Sequence, residues 1–251
     1  MEGALDGKVA IVTGGGRGVG RGIAVALARA GASIVVLELD PATGARTAEQ
    51  IIDLGGRAIA RPCDVTDADA CAAGVDAAVS AFGGIDVLVN NAQQVRPYVQ
   101  FDEVTEEDME LCWRSGPLAS FRLMQLVRPH LVRRGGGAIV NLGSGAGTEG
   151  LPGFAAYASA KEAIRGLSKV AAREWGPDNI RVNVICPFAA ADWYVAMPEQ
   201  EQAEFIEDVP LGRIGDPEAD IGATVAFLAS SAGSYVTGQT IMVDGGAAGF
   251  R

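Results

Sequence analysis

The stretch Val9-Ala10-Ile11-Val12-Thr13-Gly14-Gly15-Gly16-Arg17-Gly18-Val19-Gly20, followed by Arg21-Gly22-Ile23-Ala24-Val25-Ala26-Leu27-Ala28, decides the fold. A continuous apolar run reads as a strand buried on both faces, a glycine turn follows it, and an amphipathic stretch follows the turn. Strand, glycine turn and helix in this order make a phosphate cradle. Gly14 can make the tight turn, the glycines let the backbone approach a pyrophosphate, and the helix start offers free N–H groups with a positive dipole. The same geometry requires an acceptor for ribose hydroxyls at the end of the second strand, about twenty residues on. Glu38 holds that place in Ile34-Val35-Val36-Leu37-Glu38.

Outward from this stretch, apolar runs alternate with helix-length segments along the chain, as expected of repeated βαβ units. Seven strands are read: Val9 to Thr13, Ser33 to Glu38, Arg57 to Arg61, Val87 to Asn90, Ala138 to Leu142, Arg181 to Cys186 and Gln239 to Val243. The fold class is therefore α/β, a Rossmann-type, doubly wound, seven-stranded parallel sheet flanked by helices. Helix starts are marked by Pro41, by Thr66 before Asp67 to Asp69, and by Thr105 before Glu106 to Asp108. At 251 residues one domain spanning 1–251 is expected. From Pro187 to Pro217 the periodicity weakens and aromatics mix with acids, so a substrate lid is expected at about 188–216.

The net charge of −11 opposes nucleic acid and anionic lipid as partners. No basic and apolar leader opens the sequence, so a cytoplasmic protein is expected. The uncharged run from Ile221 to Val243 is interrupted by serines and glycines and reads as helix, turn and strand. Cys63, Cys71, Cys112 and Cys186 lack metal spacing and read as buried thiols. A single histidine, His130, excludes a histidine triad and a multi-histidine metal site, so no metal is expected.

Tyr157-Ala158-Ser159-Ala160-Lys161 places a phenol and an ammonium four residues apart, on one helical face. An ammonium roughly 5 Å from a phenol, at an effective dielectric near 20, is worth about 3 kcal/mol, enough to lower its pKa by about two. Tyr157 can then exchange a proton with an alcohol or ketone oxygen. Ser144, just after the fifth strand, can hydrogen-bond the same oxygen. Asp64 and Val65 after the third strand can address an adenine, and Asn90, Asn91 and Ala92 after the fourth can line the groove.

Taken in order, the glycine turn, Asn90-Asn91-Ala92, Ser144 and Tyr157/Lys161 resemble the short-chain dehydrogenase/reductase family. The resemblance extends to Pro210-Leu211-Gly212-Arg213-Ile214-Gly215 and to Val243-Asp244-Gly245-Gly246, covering essentially the whole chain. It implies hydride transfer between a nicotinamide cofactor and a secondary alcohol or ketone. In that role Tyr157 is the acid/base, Lys161 lowers its pKa and binds nicotinamide ribose, and Ser144 positions substrate. Gly14, Gly16, Arg17, Gly18, Val19, Gly20, Glu38, Asp64, Val65, Asn91, Ala92 and Pro187 join Tyr157 and Lys161 as cofactor contacts. The carboxylate of Glu38 repels a 2′-phosphate and favours NAD, whereas Arg17 is a phosphate partner that speaks for NADP. A homotetramer is implied as well.

Three departures from the family pattern surround one pocket. The usual helical asparagine is replaced by Gly116, with Pro117 beside it. The usual glycine after Asn-Asn-Ala is Gln93, and the usual glycine after Pro187 is Phe188. The expectation is a working dehydrogenase with a reshaped pocket, in which Gln93, Phe188, Trp193, Tyr194 and Met197 meet a hydrophobic substrate. The alternatives are an NADP-dependent ketoreductase resembling the β-ketoacyl carrier-protein reductases and a catalytically weak nucleotide-binding member.

Overall fold

The computed structural model describes residues 3–96, 98–190 and 192–248, excluding the side chains of Asp192 and Trp193. Seven parallel strands form one sheet in the order β3-β2-β1-β4-β5-β6-β7. They are β1 (Val9–Thr13), β2 (Ser33–Glu38), β3 (Arg57–Pro62), β4 (Val87–Asn90), β5 (Gly137–Leu142), β6 (Ile180–Pro187) and β7 (Thr240–Val243). The seven expected strands are all present. Only their ends move: Gln239 lies outside β7, where its N–H donates to Asn183 Oδ1 at 3.1 Å.

Period-two alternation divides the strand side chains between two cores. Ala10, Val12, Ile34, Val36, Val87, Val89 and Val140 face one side, against α1 (Gly18–Arg29) and α10 (Ala223–Ala229). Ile11, Val35, Leu37, Leu88 and Ile139 face the other, against α3 (Ala68–Phe82) and α5 (Ala119–Arg133). Helices on both faces explain why central strands are apolar throughout. Strand order reverses between β1 and β4, which opens a crevice at their carboxyl ends.

Local chemistry fixes the helix starts. Asp40 caps α2 (Pro41–Asp53) by accepting from Ala42 N at 2.9 Å. At α4 (Glu106–Trp113), Thr105 and Asp108 form a reciprocal capping box. The start of α3 differs from the expectation: Asp67, not Thr66, is the cap, accepting from Asp69 N and Ala70 N. Thr66 is diverted, since both its N–H and its hydroxyl donate to Asp64 Oδ1. Between α4 and α5 the chain widens into a π-helical segment, Arg114–Leu118, with Pro117 inside it. Proline has no N–H for the carbonyl one α-turn back, and the wider register accommodates that loss. The remaining helices are α6 (Gly145–Glu149), α7 (Ala155–Trp175), α8 (Asp192–Val195) and α9 (Glu199–Phe205). No helix among the described residues is long and apolar enough to cross a membrane.

Candidate active site

The glycine turn after β1 is built by close approach. Gly14 has φ +60° and Gly18 φ +49°, conformations that favour glycine. A Cβ at Gly20 would lie 2.1 Å from the Gly14 carbonyl oxygen, so the turn closes only without one. Asn91 Nδ2 braces the turn from β4, donating to the Thr13 and Gly14 carbonyls at 2.9 and 3.1 Å. Arg17 precedes α1 without capping it, leaving the first helical N–H groups uncovered by a side chain.

These elements wall a groove of about 440 Å³, lined by Gly14, Arg17, Gly18, Val19, Gly20, Glu38, Asp64, Val65, Asn91, Ala92 and Gln93. Gly16 is buried and is not among the lining residues. Its N–H donates to Glu38 Oε2 at 2.9 Å, while Leu39 N donates to Glu38 Oε1 at 2.9 Å. The carboxylate is thereby fixed at the groove wall. Pro187 is not part of this wall and pairs with Val243 at the end of β6. Asn90 also departs from expectation: its side chain is buried and its Nδ2 donates to Asn141 Oδ1 at 2.8 Å. The residues present fit a dinucleotide, with an uncapped helix start for the diphosphate and a fixed carboxylate for ribose hydroxyls.

At the carboxyl edge of β5, Ser144 caps α6 by accepting from Ala146 N at 3.1 Å. Tyr157 lies in the first turn of α7, where the polar Ser144 acts to lower the phenol pKa. Burial acts more strongly, leaving Tyr157 above its ordinary value. Lys161, one turn further, is 3% exposed and donates to the Leu142 carbonyl at 2.8 Å. Its Nζ stands 5.3 Å from the Tyr157 ring centroid. Burial lowers its pKa to about 8. Sequence reasoning expected Lys161 to lower the Tyr157 pKa; burial instead leaves the phenol above its ordinary value.

Two parts of this region escaped the sequence reading. A buried polar chain runs beneath Lys161, from Asn90 to Asn141, then to Ser168 at 2.8 Å and on to the Ile164 carbonyl at 2.7 Å. It ties β4 and β5 to α7. The signal was a polar residue within each of two apolar strands, and Asn90 and Asn141 are register partners. The second part is aromatic: Tyr98 contacts Phe154 edge-on at 5.2 Å, and Phe154 meets Tyr157 at 6.1 Å.

The expected lid aromatics turn largely toward one another. Phe188 stacks on Phe205 at 5.4 Å, and Tyr194, only 7% exposed, packs against the same ring. Their apolar area stabilises the segment itself, so Tyr194 is buried rather than offering apolar surface to a substrate as expected. Met197 is half-buried, and its carbonyl accepts from Gln202 Nε2. The Trp193 side chain lies outside the described residues. Gln93 and Gly116, two of the three departures, are in direct contact.

A switch-point groove floored by a glycine turn, with a serine, a tyrosine and a lysine at the neighbouring strand edge, defines a nicotinamide-dependent oxidoreductase acting on CH–OH groups. The chain belongs to the short-chain dehydrogenase/reductase family. The family model described as enoyl-(acyl carrier protein) reductase matches residues 14–248. A 12α-hydroxysteroid dehydrogenase from Clostridium sp. is 40% identical, covering 97% of this chain and 98% of the relative. The 7α-hydroxysteroid dehydrogenase of Escherichia coli is 39% identical, covering 96% and 94%. The 3-oxoacyl-acyl-carrier-protein reductase of Chlamydia muridarum is 37% identical, covering 99% and 100%. A solved 7α-hydroxysteroid dehydrogenase, complexed with NADH and 7-oxo glycochenodeoxycholic acid, superposes with a TM-score of 0.90 at 37% identity, covering 96% of this chain and 94% of that one.

Proposed function

We propose that the chain transfers a hydride between NAD and a secondary alcohol or ketone carried on a bulky hydrophobic ring system. The observation that carries this reading is the group of Ser144, Tyr157 and Lys161 at the strand edge next to the groove. When bound, nicotinamide supplies the hydride acceptor for oxidation and the donor for reduction. Ser144 holds the substrate oxygen. Tyr157 returns a proton to that oxygen in ketone reduction and removes it in alcohol oxidation. Burial raises the Tyr157 pKa, which favours the protonated phenol that ketone reduction uses. The Lys161 ammonium beside the ring favours the phenolate that alcohol oxidation uses, and the same side chain holds ribose hydroxyls.

Glu38 favours NAD, because a carboxylate fixed at the groove wall repels a 2′-phosphate. Arg17, exposed at the same wall, favours the NADP alternative. The ring-bearing substrate rests on the names of the hydroxysteroid relatives and on Tyr98 and Phe154 beside Tyr157. A fluorescence titration with NADH and NADPH tests the cofactor reading. NADH is expected to bind better, the preference to fall in Glu38→Ala, and Tyr157→Phe to bind as the parent does. Equal or better binding of NADPH overturns the assignment to NAD.

A homotetramer belongs to the same reading. Between α5 and α7 lies an apolar depression of about 490 Å³, and Phe121 and Val170 on its rim are 42% and 56% exposed. It holds no catalytic group and suits helix-on-helix packing between copies. Sedimentation equilibrium is expected to report a tetramer, and a stable monomer overturns this part. Four buried free thiols suit a reducing compartment, so a cytoplasmic location is proposed.

A further inference from the structure

The two departures at residues 93 and 116 meet in space. A Cβ built on Gly116 would lie 2.7 Å from both Nε2 and Oε1 of Gln93, so the Gln93 amide fills the volume where a side chain at 116 would begin. The backbone leading to it is fixed on both sides. Ahead of it, Asn91 N and Ala92 N donate to Thr13 Oγ1, each at 3.0 Å. Behind it, Gln94 N donates to Ser115 Oγ at 3.0 Å, and that hydroxyl donates to the Leu111 carbonyl at 2.6 Å. Gln93 Nε2 donates to the Cys112 carbonyl at 3.1 Å, which fixes the amide orientation, since a carbonyl accepts only from the NH₂ end. Oε1, buried at the groove wall, accepts from no protein group. Cys112 in turn packs against Ala156, Ala160 and Tyr157 of α7.

We propose that Gln93 is a positioning residue of the catalytic site, its amide standing in for a side chain at Gly116 and holding the α4 end and π-helical segment against the helix that carries Tyr157 and Lys161. The bulk that a residue at 116 would provide has been moved to the loop after β4. Gln93 Oε1 is left as an acceptor for a hydroxyl or water donor in the groove. This inference rests on the proposed hydride-transfer function for its catalytic half, while its packing half stands on the 93–116 contact alone.

A double-mutant cycle tests it with Gln93→Gly, Gly116→Asn and the two combined. Thermal melts without nucleotide, NADH binding by fluorescence, and kcat against pH with NADH and a 7-oxo bile acid are the readouts. Gly116→Asn alone is expected to lower Tm by several degrees, because two side chains compete for one space. Gln93→Gly is expected to lower kcat about tenfold and displace its pH profile at saturating NADH. The combined variant is expected to recover most of both losses, and recovery of soluble protein counts as the same rescue if Gly116→Asn does not fold. Additive Tm losses, or a Gln93→Gly enzyme with an unaltered kcat profile, overturn the proposal. Failure of the parent chain to bind NADH overturns the functional reading instead and leaves the Tm coupling to be read by itself.

Discussion

Lys161 shows how residue chemistry sets a conflict between stability and activity. Its pKa is lowered from 10.5 to about 8 because burial penalises the ammonium. A group depressed in this way contributes full stability only above its unfolded pKa and loses it as pH falls toward the folded value. Lys161→Met is therefore expected to be more stable than the parent at pH 7, by at most about 3 kcal/mol, with the gain vanishing near pH 11; urea melts at the two pH values check this. The parent's ketone reduction is expected to decline as pH rises through about 8, where Lys161 loses its proton, and a flat profile there would contradict the role given to that ammonium. The pairing of Tyr157 with Lys161 was legible in the sequence because a four-residue spacing on a helix leaves few geometries open. The Gln93–Gly116 contact was not, since each residue alone looked like a loss, and only the packing of a loop against a helix joins them. Tyr98 escaped for a related reason: it meets Phe154 where two segments distant in sequence come together, Val99 N donating to the Gly153 carbonyl.

Among the elements, α1 shows why the glycine-rich stretch reads so clearly. Its glycines serve close packing as well as turn geometry: a Cβ at Gly22 would lie 2.4 Å from the Pro217 carbonyl carbon, and one at Gly222 would lie 2.4 Å from Ala26 Cβ. Gly22→Ala is expected to push α1 away from the segment Pro217–Gly222 and to cost about 1–3 kcal/mol, measured by chemical denaturation. An unchanged midpoint would mean that this contact relaxes freely. The strands were legible nearly to the residue because most of the apolar runs end at polar, glycine or proline positions. The start of α3 was misplaced by one residue, since Thr66 and Asp67 are both good caps and only the structure shows Asp64 capturing Thr66. The segment at about 188–216 was legible as irregular but not as a self-packed aromatic cluster, because Phe188 and Phe205 are seventeen positions apart in sequence and their stacking has no local signature.

Across the whole molecule, the sheet is locked by a few long-range polar clamps as well as by its two cores. Asp86, 3% exposed, accepts from Val9 N at 3.0 Å and pairs with Lys8 at 3.1 Å and Arg134 at 3.0 Å, joining the chain start, β4 and the end of α5. These donors hold its carboxyl below the usual carboxylate range despite burial. Its stabilisation is present above the unfolded pKa and disappears as pH falls through the lower folded value. Asp86→Ala is expected to cost about 3 kcal/mol at pH 7 and progressively less in acid, and an equal cost at both extremes would contradict the clamp. At this scale the alternation of strands and helices was legible, whereas the spatial order of the strands and the clamp were not, because alternation does not fix which strands are neighbours and the clamp's members are scattered over more than a hundred residues. The central claim is that one phenol moves the proton while hydride passes to or from nicotinamide. Its most direct test is stopped-flow NADH oxidation with a polycyclic ketone of the proposed class, comparing the parent with Tyr157→Phe at matched NADH occupancy. The account predicts a rate at least about a hundredfold lower in the variant with unchanged NADH affinity, and a variant that turns over within threefold of the parent would contradict it.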